Sequence, residues 1–213
     1  MLRKIFFSGE QGIFQNAFIK YILRKYDLSK FNRVLDVGCA GGHYLLAFKE
    51  KARFGIDYDK KVLNDTKFKA NLTVGNITKK FPYKNNFFDL VIVSHVLEHL
   101  EKEEIFFVFG EFQRILNNNG LLVINSPLPD FDGWNYFSFW DHKTIINAPR
   151  LKFLIEKNKM KVENEFYFNP DIFPHYFRFM LLKLSPFFLF NLFRFFKKYL
   201  VLIARKTEKE VKK

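Results

Sequence analysis

Cysteine is nearly absent from this sequence, which has one, Cys39, among 213 residues. A single cysteine excludes an internal disulfide and a zinc site built from several thiolates, and it favours a reducing, cytoplasmic compartment. The sequence also lacks an uncharged apolar run of about 18 residues or more, so we predict no membrane-spanning helix. The apolar run near the start stops at Ser8 and Gly9. It is too short for a secretory signal peptide.

Acidic residues are scarce, since Asp and Glu number 22 against 35 Lys and Arg, and the net charge is +13. Phenylalanine, by contrast, is abundant at 30 residues. Residues 150–213 alone hold 15 Lys and Arg but only 6 Asp and Glu. Such a segment suits an anionic membrane surface, an acidic substrate or RNA. A general bias of the genome toward Lys, Asn and Phe explains it equally well, so charge alone assigns no function.

The order of the predicted elements indicates an α/β fold with a parallel sheet, because buried strands alternate with helical patterns. An apolar fraction of 48% supports a sizeable core, and the length fits one domain over residues 1–213. The predicted strands are 33–37, 54–57, 72–74, 89–93, 121–125, 162–168 and 199–204. The predicted helices are 10–27, 43–51, 60–67, 101–116 and 149–158, with a turn at 117–120.

The pattern changes after Pro127. Residues 127–160 are predicted to form the acceptor side of the molecule, as an aromatic loop followed by a helix. Segment 169–198 separates the last two strands and is predicted as two helices with a wide apolar face and basic edges. A helix that faces a core has a narrower apolar stripe, so this insertion suits a membrane interface or a lid over an apolar substrate. A homodimer contact and an extra core layer are the alternatives.

The most informative segment is 33–44, where a predicted strand runs into a glycine-rich loop and then a helix. This arrangement lets a cofactor approach the backbone closely. Asp57 follows Gly38 at about the 20-residue spacing of the acid that binds ribose in dinucleotide folds. Two features disfavour NAD: His43 stands where the third glycine would fall, and Asp36 at the strand end would repel a pyrophosphate. Asp36 favours instead a cofactor with a cationic amino group and no phosphate, such as S-adenosylmethionine.

Short motifs follow one another along residues 30–126. They are VLDVGCAGG at 34–42, GIDY at 55–58, GNI at 75–77, FPY at 81–83, FDLV at 88–91, SHVLEH at 94–99 and NGLLVI at 119–124. In this order and spacing the segment resembles the class I S-adenosylmethionine-dependent methyltransferases. The resemblance implies S-adenosylmethionine as cofactor. It also implies a Rossmann-like, seven-stranded, mostly parallel sheet with helices on both faces, here with a helical insertion before the last strand.

The resemblance also implies which residues bind the cofactor. They are Asp36, Gly38, Ala40, Gly41, Gly42, Asp57, Tyr58, Asn76, Ile77 and Ser94. Asp36 and the loop after it hold the methionine part, Asp57 accepts hydrogen bonds from the ribose hydroxyls, and Tyr58 packs on adenine. Ala40 replaces the family's usual middle glycine, with Gly41 beside it to preserve backbone freedom. Asn76 replaces an aspartate, and its carbonyl is expected to accept the adenine hydrogen bond.

Histidines near this site are candidate catalytic residues, because methyl transfer to oxygen often uses a base. His95 follows the fourth predicted strand at the edge where parallel sheets bind ligands, and His142 ends the aromatic loop. These two are the predicted catalytic residues, and His99 is a weaker candidate. No metal is predicted, because clustered acids are missing there. Val-Ser-His-Val at 93–96 is not the Asn/Asp-Pro-Pro-aromatic pattern typical of enzymes that methylate amino groups of adenine, cytosine or glutamine.

The sequence thus predicts methyl transfer from S-adenosylmethionine to an oxygen of a small-molecule, glycan or lipid-linked acceptor. An RNA or protein methyltransferase is the first alternative, although the added binding domain it should carry is not visible, and nucleic acid is therefore a less favoured partner. A cofactor-binding protein without catalysis is the second. The expected location is the cytoplasm, with a peripheral contact at the inner face of an anionic membrane.

The basic edge of segment 169–198 generates a test of membrane binding. At an anionic surface each Lys or Arg contributes about 1 kcal/mol, so the protein should float with anionic vesicles and be released by high salt. Changing Arg194, Lys197 and Lys198 together to Glu should abolish flotation. Neutral vesicles are the control, and equal flotation of the wild type and the triple variant would contradict the membrane interpretation.

Overall fold

Seven strands form one sheet in the order β3-β2-β1-β4-β5-β7-β6. The computed structural model describes residues 9–64, 66, 68–129, 136, 139–168 and 199–207. The strands are β1 (Arg33–Val37), β2 (Ala52–Asp57), β3 (Asn71–Val74), β4 (Phe88–Ser94), β5 (Leu116–Pro127), β6 (Met160–Phe168) and β7 (Tyr199–Lys206). Strands β1 to β5 are all parallel to one another, whereas β7 is antiparallel to both β5 and β6. The predicted Rossmann-like, mostly parallel sheet is confirmed.

Capping side chains define the starts of the two long helices on one face. The described helices are α1 (Gly9–Ile22), α2 (Lys60–Asn64), α3 (Lys102–Ile115) and α4 (Ala148–Lys157), with 3₁₀ turns at Leu28–Lys30, His43–Phe48 and Leu97–His99. Helix α3 begins with a reciprocal pair, in which the Glu101 side chain accepts from the Glu104 backbone and the Glu104 side chain from the Glu101 backbone. At α4, Asn147 Oδ1 accepts a hydrogen bond from the Arg150 N–H at 3.0 Å.

Two apolar cores cover the two faces of the sheet, so its central strands are apolar on both sides. Alternate residues of one strand enter different cores, because successive strand side chains point in opposite directions. In β1, Leu35 and Val37 pack with α3 and α4, whereas Val34 packs with α1 and the 3₁₀ turn at His43–Phe48. Helices therefore lie on both faces, as predicted.

Four predicted elements differ from the structure, and one of them is helix 60–67, which ends at Asn64 as α2. Helix 10–27 ends already at Ile22, where the Arg24 guanidinium donates to the Tyr21 carbonyl and caps the last turn. Segment 43–51 is a 3₁₀ helix that ends at Phe48 rather than an α-helix, and it starts directly from the left-handed Gly42. The predicted turn at 117–120 is included in β5, because Leu116 already pairs with Phe88 before a bulge restores the register at Leu121.

The helical insertion predicted at 169–198 lies outside the described residues, as do residues 130–135, 137 and 138 of the aromatic loop. Strand β6 ends at Phe168 and β7 begins at Tyr199, so the insertion connects two antiparallel neighbours of the sheet. Within the described part of the chain, no helix combines the length and the apolar character needed to cross a membrane.

An ion pair on α3 holds the segment that enters β4. Arg114 donates to Glu111 at 2.7 Å and to the Phe81 and Tyr83 carbonyls at 3.1 and 2.7 Å. Glu111 Oε2 also accepts the Phe81 N–H at 2.7 Å. Burial by itself would raise the pKa of Glu111, but the hydrogen bonds from Arg114 and Phe81 outweigh it and lower that pKa. The pair therefore couples α3 to the segment that leads into β4, the strand that His95 follows.

We expect Arg114→Met to lower the free energy of unfolding by about 2–3 kcal/mol, because it leaves the part-buried Glu111 without its ionic partner. The folded pKa of Glu111 lies below its ordinary value of 4.5, so this stabilisation is complete above about pH 5 and is lost as pH falls through the folded pKa. Urea unfolding at pH 7 and at about pH 3 measures both effects. Lys30→Met, which breaks an exposed pair with Asp27, is the control. Equal losses for the two variants would contradict the prediction.

Candidate cofactor and acceptor site

The candidate site lies at the carboxyl edge of the sheet, between the neighbouring strands β1 and β4. The chain runs from β1 to β2 on one side and from β4 to β5 on the other side. Such a topological switch point is where open α/β sheets bind ligands. The glycine-rich loop follows β1, Asp57 ends β2 and His95 follows β4. The sheet therefore brings the predicted cofactor residues and one predicted catalytic residue to the same edge.

The glycine-rich loop takes a left-handed backbone conformation at three positions. Gly38, Ala40 and Gly42 have φ angles of 68°, 44° and 70°. A Cβ atom on Gly38 would lie 2.4 Å from Val96 Cγ2, so only glycine fits there. Gly41 was expected to supply the freedom of the missing middle glycine, but Ala40 itself adopts the positive φ. An L-residue other than glycine pays about 1–2 kcal/mol for this conformation.

Asp36 is a buried polar group of the site. Its side chain is 2% exposed, and its Oδ2 has no hydrogen-bond partner among the described residues. Burial, and secondly the nearby Asp57 carboxylate, raise the pKa of Asp36 well above its ordinary value. A cationic amino group would supply both the missing donor and the missing charge. The residues present thus fit a cofactor that carries such a group next to the loop.

Asp57 holds the loop in place. Its Oδ2 accepts the Ala40 N–H and its Oδ1 accepts the Asp59 N–H, both at 2.9 Å. Each carboxylate oxygen keeps a second lone pair, so the predicted bonds to ribose hydroxyls are compatible with these contacts. The neighbouring Tyr58 is 65% exposed, which leaves its ring accessible to an adenine. Asp57 therefore also has a positioning role that sequence reasoning missed.

The remaining predicted cofactor residues have local partners. Asn76 Oδ1 accepts hydrogen bonds from the backbone N–H and the hydroxyl of Thr78, at 2.8 and 2.9 Å. The Asn76 side-chain carbonyl therefore already accepts two hydrogen bonds without an adenine. Ile77 packs against the core. Ser94 Oγ is 2.9 Å from the Tyr44 hydroxyl and accepts from Asn125 Nδ2 at 2.9 Å. The binding roles of Asn76, Ile77 and Ser94 stay predictions.

A buried carboxylate organises the opposite side of the edge. The Glu98 side chain is 0% exposed, with Oε1 at 3.5 Å from His95 Nδ1 and Oε2 accepting from Ser126 Oγ at 3.2 Å. Burial favours its neutral form, but the His95 and His99 imidazoles outweigh burial and lower the pKa of Glu98. His95 is 46% exposed and has a left-handed backbone, with φ 56°. Strain of this kind is typical of functional positions.

His142 reaches the same cluster from the aromatic loop. Its ring centroid lies 4.9 Å from that of His99 and 4.7 Å from that of Tyr136, and its ring stacks on Phe139 at 5.1 Å. Its Nδ1 is buried and has no hydrogen-bond partner in the part of the chain that the structure describes. Burial is the main cause that lowers the pKa of His142 below its ordinary value. Of the other histidines, His175 lies outside the described residues.

Known proteins share this architecture. Residues 35–124 match the protein family described as a methyltransferase domain. The uncharacterized protein MJ0638 of Methanocaldococcus jannaschii is 31% identical over 159 residues, which are 73% of this chain and 67% of that protein. A SAM-dependent methyltransferase from Archaeoglobus fulgidus is similar in structure, with a TM-score of 0.68, 22% identity and coverage of 90% of this chain and 94% of its own. An S-adenosylmethionine-dependent methyltransferase from Mesorhizobium loti has a TM-score of 0.61 and 16% identity, and 81% of this chain covers 90% of it. These two solved structures show the shared fold.

Replacing Asp36 by Asn should separate stability from cofactor binding. Because the folded pKa of Asp36 is raised, its ionisation above its ordinary pKa destabilises the fold at pH 7, and the neutral amide removes that cost. We therefore expect a higher melting temperature for the free variant but at least about 10-fold weaker binding of S-adenosylmethionine, since a charge-assisted bond is lost. Thermal melts and calorimetry measure the two effects. Unchanged affinity would contradict the role of Asp36.

Proposed function

The chain belongs to the class I S-adenosylmethionine-dependent methyltransferases, and on that premise we propose that it methylates a hydroxyl oxygen of a small-molecule, glycan or lipid-linked acceptor. S-adenosylmethionine is the cofactor. When bound, it supplies a methyl group on a positively charged sulfur. The observation that carries the proposal is the polar cluster of His95, Glu98, His99 and His142 beside the cofactor loop.

On the cofactor side, the residues of the chain bind the cofactor and orient it. Asp36 offers an unpartnered carboxylate oxygen to an amino group, and the left-handed loop lets the backbone come close. Asp57 keeps that loop on the end of β2 through the Ala40 N–H. Tyr58 presents an exposed ring next to it. Positioning of this kind is the main demand of a direct displacement, which needs reacting atoms in line.

The cofactor loop and the polar cluster are in contact. Val96 packs directly against Gly38, and it stands in the chain between His95 and Glu98. The register of the sheet gives the same result, because Val37 of β1 pairs with Val93 of β4 just before both strands end. An acceptor held at the cluster would thus lie next to a cofactor held by the loop.

The chemistry of the cluster supports an oxygen acceptor. A hydroxyl carries a proton that has to leave, and it is bound best by groups that accept hydrogen bonds. The cluster consists of imidazoles and a carboxylate, which are such groups. His95 is exposed enough to contact an acceptor, and its Nδ1 lies 3.5 Å from Glu98 Oε1. The Nδ1 of His142 is buried instead, so the two predicted catalytic histidines have different surroundings.

The test uses purified protein with isotopically labelled S-adenosylmethionine and panels of phenols, sugars and extracted lipids. We expect a product that carries the methyl group on oxygen, identified by nuclear magnetic resonance. His95→Gln should lower turnover by roughly 100-fold while leaving cofactor affinity almost unchanged. Glu163→Gln, on strand β6 and paired with Arg205, is the matched control and should retain activity. A methyl group on nitrogen or sulfur would overturn the oxygen assignment, and full activity of His95→Gln would remove His95 from it.

A further inference from the structure

We propose that Glu98, His99 and His142 bind a divalent transition-metal ion, and that this ion binds the acceptor hydroxyl. The second half of the proposal rests on the proposed function, whereas the metal site itself does not. One carboxylate oxygen and one nitrogen from each imidazole lie within 4.8 Å of one another. The sequence predicts no metal, because a metal site was expected to need clustered acidic residues. The structure assembles two imidazoles and one buried carboxylate instead.

Two buried polar atoms of the cluster have no hydrogen-bond partner among the described residues. Glu98 Oε1 belongs to a fully buried side chain and has no hydrogen-bond partner among the described residues, since His95 Nδ1 at 3.5 Å is only at ion-pair distance. His142 Nδ1 is likewise buried and has no hydrogen-bond partner among the described residues. Burying a polar atom without a partner is unfavourable, so such atoms are rare without a functional reason. A cation between them would satisfy both.

The neighbours of the cluster orient its ligands as in a metal site. His99 Nδ1 is 3.1 Å from the Asp141 carbonyl, and because a carbonyl only accepts, Nδ1 carries the proton. In the neutral ring this leaves Nε2 as the ligand atom. A metal-binding histidine usually donates its second ring nitrogen to a carbonyl or carboxylate in this way. Glu98 Oε2 is held likewise by the Ser126 hydroxyl, which leaves Oε1 for the ion.

Backbone contacts fix the two segments that carry the ligands. The N–H groups of Lys143 and Thr144 donate to the Glu98 carbonyl at 2.7 and 3.1 Å. Thr144 Oγ1 donates to the Leu100 carbonyl at 2.7 Å, and the Tyr136 hydroxyl donates to the Thr144 carbonyl at 2.6 Å. The His142 segment is therefore attached to the 3₁₀ turn that holds Glu98 and His99. Such preorganisation is what a metal site requires of its scaffold.

The ligand set selects the kind of ion. Two imidazoles and one carboxylate suit Zn²⁺, Co²⁺, Mn²⁺ or Fe²⁺, whereas Mg²⁺ and Ca²⁺ prefer oxygen ligands alone. Zinc ligands stand at about 2.0–2.2 Å from the ion, so binding would draw the three ligand atoms closer together than the 4.8 Å within which they lie. Three protein ligands leave at least one coordination position open for an acceptor oxygen.

An ion at this position would prepare the acceptor oxygen. A hydroxyl bound to a divalent cation loses its proton near neutral pH more readily than a free one, and the proton passes to His95, the base of the proposed function. The oxygen lone pair then forms the new bond to the methyl carbon, and the electron pair of the broken carbon–sulfur bond stays on sulfur. The ion neither gains nor loses electrons, so no oxidant or reductant is needed.

The test is Co²⁺ titration of chelator-treated full-length protein, followed by visible absorption, with metal content per chain measured by mass spectrometry. We expect saturable binding of one ion per chain and d–d bands typical of nitrogen and oxygen ligands. Glu98→Gln and His142→Gln should each weaken binding by at least about 10-fold. His43→Gln, which removes an imidazole outside the cluster, is the matched control for metal binding, and circular dichroism checks that each variant is folded.

Absence of saturable Co²⁺ binding, or equal affinity in the folded variants, would overturn the proposal. The Co²⁺ titration measures metal binding without any acceptor, so a failure of oxygen methylation leaves the measured Co²⁺ affinity unaffected. Conversely, oxygen methylation that persists unchanged in excess chelator would overturn the role of the ion in binding the acceptor and leave the proposed function intact.

Discussion

Burial of the sheet on both faces is the constraint on which the rest of this structure depends. Apolar helices and turns cover both sides, so polar groups with a chemical task can stand only where the strands end. Asp36, Asp57, Ser94 and Asn125 all lie at the carboxyl edge for this reason. The switch between β1 and β4 then places two loops side by side, one suited to a cofactor and the other to its acceptor.

Both loops are built at some expense of stability. Asp36 is buried without a compensating donor, and Ala40 and His95 adopt left-handed backbones that favour glycine. Although left-handed backbones also occur away from the carboxyl edge, at Asn86, Asn119 and Lys159, these three residues lie within a few positions of it. They fit a site whose charge and strain are relieved only when ligands bind. The Glu111–Arg114 pair, on the buried side of α3, illustrates the opposite case of a charge that is fully satisfied.

The acceptor side depends on contacts between distant parts of the chain. Glu98 is held by Ser126 from β5, while its backbone carbonyl receives the N–H groups of Lys143 and Thr144. These bonds bring His142 beside His99, although the two are separated by all of α3 and β5. The polar cluster is therefore a product of the tertiary fold, and a change in any of the three segments would disturb it.

Strand periodicity, a glycine-rich loop and an acid at a strand end are local patterns, so the sequence alone predicts the sheet, the loop and the cofactor class. It also predicts His95 and His142 as catalytic residues from their positions along the chain. Three features emerge only from the folded chain: Ala40, not Gly41, takes the positive φ, Asp57 binds the Ala40 N–H, and Glu98 lies beside two imidazoles. Each of these is a contact between residues far apart in the chain or a backbone angle set by such a contact. Local patterns contain no information about which distant partners will meet, so packing alone could decide them.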